Sequence, residues 1–500
     1  MSSHGDSKEV DPKPDVENRE FCLDNERIPE ALRNLGQDEL RELERNLVRK
    51  MDLVILPCLS LLYILNYIDR QNLSAAKLRG VMEDLDMTTQ EFATAISILF
   101  VGYLPFQIPS NLLITKIKRP GLYICTAAVI WGAISAATGA VKTYHQLLAI
   151  RAILGMVEAV FFPGAIYLLS AWYTKTELGK RLAGLYIAQQ VGNAFGGLFA
   201  AAIFQLDGVH GIAGWRWLFI IEGSMTIGTG AICALIIPEY PHNARMLTPI
   251  QRQLAVWRIE SEAGAAEGHE DEGTLRGFVQ ALSDPKLYML IFCNMMSQGQ
   301  GSVVNFFPSI VKSLNYSSTI TLLLTAPPYV LAGFVYYGIS FYSDRKQTVY
   351  PIIMACIATA TAMYIIPLSV THNVGARYFA MMMLPFSSVG PQILLFKTIN
   401  LHLARPTAKR AAASALVNAL GGTSNIWASY LYYDSPRYYA AFGMMLGCAF
   451  LFASTITFYR WYVRRENQRL DSQDPLEKAK ALKGGVTQEM VDLGWRYDMF

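Results

Sequence analysis

The stretch Leu53-Val-Ile-Leu-Pro-Cys-Leu-Ser-Leu-Leu-Tyr-Ile-Leu-Asn-Tyr-Ile-Asp69-Arg70-Gln-Asn-Leu-Ser-Ala-Ala76 is an apolar run long enough to cross a bilayer, with an adjacent acid and base inside it. An ionisable pair at that depth is expensive to bury. Such residues face a protein interior or a watery cavity and mark a substrate or proton pathway. A second run, Gln146 to Ala171, carries Arg151 and Glu158. Seven residues separate those two, so they share a helix face about 10 Å apart. Four charges, balanced plus and minus on two spans, suggest a polar site in the middle of a membrane bundle.

Outward from these runs the pattern repeats. The chain has 500 residues, 52% of them hydrophobic. Apolar segments of spanning length recur at 52–76, 90–114, 121–141, 146–171, 182–205, 215–237, 286–310, 319–342, 349–369, 377–398, 411–433 and 438–462. The expected fold is an all-α membrane protein of twelve transmembrane helices in two six-helix halves. Basic residues cluster in alternate loops, among them Arg49, Lys50, Lys116, Lys118, Arg119, Lys180, Arg181, Arg345, Lys346, Lys409, Arg410, Arg464 and Arg465, against few in the others, such as Lys77, Lys142 and Arg437. The positive-inside rule then predicts both termini in the cytosol. A long polar stretch precedes the first run, which reads as an uncleaved insertion signal rather than a cleaved leader. Of seven cysteines only Cys22 lies outside a span, so no disulfide framework is expected. The Asn72 and Asn315 glycosylation patterns sit at helix ends and read as unmodified. A net charge of +3 is too small to argue for nucleic acid.

Three hydrophilic segments bracket the halves: a tail at 1–50 with an amphipathic stretch at Glu39–Arg49, a linker at 238–284, and a tail at 464–500, leaving halves at 51–237 and 285–463. The linker opens with Pro238 and Pro241; Thr248–Ile259 reads as a surface helix and Glu260–Gly273 as flexible. A weak repeat joins the halves. The fifth span opens with Lys180-Arg181 and reaches Gly196-Gly197; the eleventh opens with Lys409-Arg410 and reaches Gly421-Gly422. Parallel repeats of this kind place a substrate site between the halves near mid-membrane.

Asn66-Tyr67-Ile68-Asp69-Arg70-Gln71-Asn72-Leu73-Ser74-Ala75-Ala76 resembles the first-helix signature of the anion:cation symporter family of the major facilitator superfamily. So does Arg151-Ala-Ile-Leu-Gly-Met-Val-Glu158-Ala-Val-Phe-Phe-Pro163-Gly164. Pro109-Ser110-Asn111, Gly214-Trp215-Arg216-Trp217-Leu-Phe-Ile-Ile-Glu222-Gly223 and Pro241-His242-Asn243-Ala244-Arg245 are similar too. The resemblance covers about 45–465 and is nearest to fungal allantoate permease-like importers of small organic anions such as nicotinate, allantoate, pantothenate and biotin. Two departures stand out. The loop motif after the second span has Thr115 where the superfamily has an acid, while the loop after the eighth keeps Ser343-Asp344-Arg345. Phe396-Lys397 stands where the branch often has a tryptophan ahead of the eleventh helix, which points to a different substrate.

Arg70 is the candidate anion anchor, because a guanidinium stays charged and grips a carboxylate through two hydrogen bonds. The alternative is a counter-ion for Glu158 or Asp69. Glu158 and Asp69 are candidate proton carriers, since competition for one arginine makes protonation and anion binding favour each other; Arg151 completes that set, and pairing of Glu158 with Arg151 is the plainer reading. Tyr67, Tyr103, Gln189, Asn193 and Asn418 are mid-depth polar positions suited to orienting a ligand or to bonding between helices. Lys397 is either a second anion contact or a snorkelling lysine. Gly192, Gly196 and Gly197 permit close helix approach. No proline accompanies them, which favours import over drug export. Asp344 and Arg345 are candidate gate residues. No metal spacing and no phosphate-cradling loop is present, so neither an enzyme nor an ATP-driven pump is indicated. The expected function is proton-coupled uptake of a small organic anion by a plasma-membrane monomer without cofactor. A metabolite exporter and a transport-inactive nutrient sensor are the alternatives.

Overall fold

The computed structural model describes residues 29–33, 35–114, 116–266, 274–370, 373–403, 407–435, 437–472, 474 and 496–497, and among them only helices and turns occur. The first half contains α1 (Gln37–Ala76), α2 (Thr89–Ile114), α3 (Pro120–Thr138), α4 in two pieces (Tyr144–Glu158 and Phe161–Trp172), α5 (Lys175–Ile203) and α6 (Gly214–Ile236). The second contains α7 (Pro285–Gly301, continued through a 3-10 stretch Ser302–Phe306 to Phe307–Lys312), α8 (Ser318–Leu323 and Ala326–Lys346), α9 (Tyr350–Ser369), α10 (Val374–His402), α11 (Thr407–Gly422, then Ser424–Ala428) and α12 (Tyr439–Leu470).

Ten of these twelve rods are long and apolar enough to cross a membrane. The two that fall short are α7 and α11. Each breaks at a glycine followed by a hydroxyl residue (Gly301-Ser302, Gly422-Thr423), and α7 spends much of its length on Asn294, Ser297, Gln298, Gln300 and Asn305. The amphipathic stretch Glu39–Arg49 is not a separate helix but the first three turns of α1. In the linker, Pro249–Ala266 and Thr274–Leu282 are helical, the first extending beyond the expected surface helix.

The halves repeat one packing scheme. In the first, α3 lies along α6, α2 along α4, and α1 along α5 and α6; in the second, α9 lies along α12, α8 along α10, and α7 along α11 and α12. The Lys-Arg pairs have a physical reason within it. Arg181 grips Asp52, where the apolar run of α1 begins, through Nη2 at 2.7 Å, and Lys409 grips Asp284 at the start of α7 through Nζ at 2.6 Å. Each half uses one base from the start of its fifth helix to pin its first.

Hydrogen bonds between the halves gather at the end of the bundle away from the start of α1. Ser97 Oγ donates to the Ile426 carbonyl at 2.9 Å, Tyr430 Oη to Thr94 Oγ1 at 3.1 Å, Ser318 Oγ to the Leu78 carbonyl at 3.3 Å, and Ser74 Oγ to the Asn305 carbonyl. At the other end the second half is tied to its own tail. Tyr497 is buried, accepts from Lys286 Nζ at 2.8 Å, and exchanges two bonds with Asn467 (2.9 and 3.0 Å), while Arg496 pairs with Asp471. Burial pushes the Tyr497 phenol up and the Lys409 amine down.

Candidate functional site

Small residues at helix crossings bring the polar side chains together. A Cβ on Gly155 would overlap the Leu99 carbonyl, and one on Gly102 the Ala152 carbonyl, so α2 and α4 run backbone against backbone. Gly132 and Gly223 do the same for α3 and α6, and Gly192 lets α5 rest on Ile64 and Tyr67 of α1. The two pieces of α4 meet at Ala159-Val160, just ahead of Pro163. The proline has no N–H for the Ala159 carbonyl, so the helix breaks there and leaves Glu158 at the end of its first piece.

Glu158 and Arg70 meet across that gap. Arg70 Nε donates to Glu158 Oε2 at 2.8 Å, with the Glu158 side chain fully buried and that of Arg70 14% exposed. The guanidinium lies over the Tyr103 ring at 4.6 Å and the Tyr67 ring at 5.4 Å. The partner of Glu158 is therefore Arg70 on another helix, not Arg151 on its own. Behind this pair is a second, buried layer. Asp69 accepts from Ser135 Oγ of α3, and Arg151 and Glu222 are buried within the field of Asp69 and Glu158. In that layer Asp69 Oδ2, Glu158 Oε1, Arg151 Nε and Nη1 and both Glu222 carboxylate oxygens have no hydrogen-bond partner among the described residues.

In front of the pair lies a cavity of about 120 Å³ between the halves. Tyr67, Arg70, Gln71, Gln189, Gln190 and Asn193 line it from the first half, and Gln298, Asn305, Tyr329, Tyr336, Gln392 and Asn425 from the second. Among the described residues Arg70 is the one charged group on its wall. Each half presents an amide pair from equivalent helices. Gln71 of α1 donates to Asn193 of α5 at 3.3 Å, and Asn305 of α7 to Asn425 of α11 at 3.4 Å.

Of the residues singled out in the sequence, Tyr67, Arg70, Gln189 and Asn193 face this cavity, Tyr103 stacks on Arg70, and Asp69, Glu158 and Arg151 form the layer behind. Asn418 and Lys397 are not on its wall. Asn418 sits one turn before Gly421-Gly422, and Lys397 Nζ donates to Ser343 Oγ of α8 at 3.2 Å. Arg345 is exposed at the end of α8; the Asp344 side chain lies outside the described residues. Sequence reading passed over Gln71, Asn305, Asn425, Tyr329 and Glu222. Only Glu222 carried a visible signal, a lone acid in an apolar span.

Residues 59–429 match the model of the Major Facilitator Superfamily. The chain is 31% identical to the MFS-type transporter cnsO of Penicillium expansum, over 90% of this chain and 89% of that one. It is 32% identical to the uncharacterized transporter C1683.12 of Schizosaccharomyces pombe, over 85% and 87%. It is also 29% identical to the major facilitator-type transporter hxnP of Emericella nidulans, over 91% and 93%. Among solved structures, the fold resembles a bacterial homolog of the human lysosomal transporter Spinster in its inward-facing, occupied conformation (TM-score 0.64, 15% identity, 82% of this chain and 96% of that one). It also resembles a D-xylose-proton symporter (TM-score 0.58, 15% identity, 80% and 96%).

Proposed function

The chain belongs to the major facilitator superfamily, and within that family of membrane transporters we propose that it carries out proton-coupled uptake of a small organic anion. One observation carries the reading: among the described residues a single cation, Arg70, borders the cavity, and it is held by a buried acid, Glu158. A substrate carboxylate entering the cavity competes with Glu158 for the guanidinium. Glu158 released from Arg70 leaves the buried acids around it one positive charge short, which is costly, so it takes a proton. Anion and proton therefore favour each other, and the effect is reciprocal. The uncharged amides and tyrosines around Arg70 suit a vitamin- or ureide-like monocarboxylate.

In this reading the chain is a monomer of the anion:cation symporter branch in the plasma membrane, with both termini in the cytosol. The hydrogen-bonded end of the bundle is then the outer gate, shut, and rocking of 51–237 against 285–463 opens it, with Asp344 and Arg345 at the inner gate. The test is reconstitution in vesicles with an imposed pH gradient and a panel of labelled vitamins, ureides and aromatic acids. The reading predicts inward proton flux that appears only with a substrate and rises with its uptake. Substrate uptake without proton movement, or outward movement only, sinks it.

A further inference from the structure

Glu222 lies on α6 behind the cavity. Its side chain is fully buried and neither carboxylate oxygen has a hydrogen-bond partner among the described residues. The charged groups around it are Asp69 of α1 and Arg151 and Glu158 of α4, with Arg70 of α1 beyond them. Three acids (Asp69, Glu158, Glu222) thus face two bases (Arg70, Arg151). Fully ionised, the cluster would hold one uncompensated negative charge in a buried, low-dielectric core, a costly arrangement. One proton therefore resides on the acids when the cavity is empty. Glu158 accepts from Arg70 and Asp69 accepts from Ser135, whereas Glu222 has no such support.

We propose that Glu222 holds the resting proton of this cluster and is the internal donor for Glu158. This inference rests on the reading that a substrate anion takes Arg70. When it does, the O–H bond of the Glu222 carboxyl breaks and its proton passes to Asp69, while the electron pair stays on Glu222. Asp69 in turn passes a proton to Glu158, whose new O–H bond makes it neutral. Arg151, with Nε and Nη1 unused, is placed to hold the anion left on Glu222. A proton from solution then reloads Glu222. Binding thus does not wait for solution protons to reach Glu158 directly. Glu222 touches no substrate and is a positioning acid for the coupling step.

The test has two arms on the full-length protein in nanodiscs. In the first, infrared spectra of substrate-free protein at neutral pH are compared for wild type, Glu222→Asp and Glu158→Asp, which keep the number of acids. A carboxylic-acid C=O band present in wild type, shifted in frequency in Glu222→Asp and unmoved in Glu158→Asp is the expected result. No such band, or one that is unmoved in Glu222→Asp or shifts in Glu158→Asp, overturns the proposal. If Glu222→Asp does not fold, Asp69→Glu replaces it: the band must keep its wild-type frequency, and a shift overturns the proposal. In the second arm benzoate is the carboxylate probe. Its association rate with Glu222→Gln should fall about tenfold at neutral pH and recover on acidification, because the proton for Glu158 must now come directly from solution. Identical pH profiles in variant and wild type overturn the donor role. Failure of benzoate to bind wild type counts against the anion site rather than against Glu222, which the infrared arm decides alone.

Discussion

The two halves share their helix pairings and even the ion pair that pins the fifth helix to the first, but at mid-depth their chemistry diverges. The first half buries Asp69, Arg70, Arg151, Glu158 and Glu222. The second, at equivalent depth, is built from neutral groups: Asn294 bonded to the Val417 carbonyl, Gln300 to Tyr364, Ser302 to Tyr432 and Asn305 to Asn425. One half carries ionisable groups that can change state, and the other a wall that cannot. A duplicated scaffold needs only one charged half to run a coupled cycle, because the neutral half can move against it without breaking an ion pair.

That contrast is open to attack at several places. Arg70→Lys keeps the charge but loses the two-pronged grip, and uptake should fall about 100-fold, equivalent to about 2–3 kcal/mol. Asn305→Ala on the neutral wall should cost less than about tenfold, in line with one hydrogen bond. Equal losses in an uptake assay would erase the distinction between the halves. Glu158→Gln mimics the protonated acid: it should exchange substrate across the membrane yet lose accumulation driven by a pH gradient. Undiminished accumulation would transfer the coupling role to Asp69 or Glu222. Gly155→Ala sets a methyl against the Leu99 backbone and should lower stability by about 1–3 kcal/mol, seen as a drop in the thermal midpoint. Gly421→Ala meets the Asn294 side chain, which can move, so its midpoint should drop less. The smallest effect is expected for Lys397→Met. Off the cavity wall and bonded to Ser343, it should change substrate affinity less than about twofold, and a larger loss would restore Lys397 as an anion contact.

The charged half was the more legible one. An acid or base in an apolar run is conspicuous because burying it is costly, so Asp69, Arg70, Arg151 and Glu158 could be picked out from the chain alone. Their pairing could not. Spacing within a helix suggests Arg151 with Glu158, whereas the observed bond joins Arg70 of α1 to Glu158 of α4, at the break ahead of Pro163. The neutral wall was hidden for the opposite reason. Amides such as Gln71, Asn305 and Asn425 are cheap to bury in pairs, and an isolated asparagine in a span looks the same whether it faces a neighbour or a cavity. The same polarity interrupts α7 and α11, so the two rods that least resemble membrane spans among the described residues are the two that supply the amide pair Asn305–Asn425 to the cavity wall.

The buried ring of Tyr497 has a practical corollary. A fluorescent protein or affinity tag joined shortly after Tyr497 follows a residue whose ring is held by Lys286 and His402 and whose backbone is bonded to Asn467. A bulky fusion at that point competes with those contacts, and expression levels or subcellular distributions read from it describe a protein with its tail withdrawn. Reporters placed at the amino terminus avoid this artefact and leave the foot of α7 as the cell makes it.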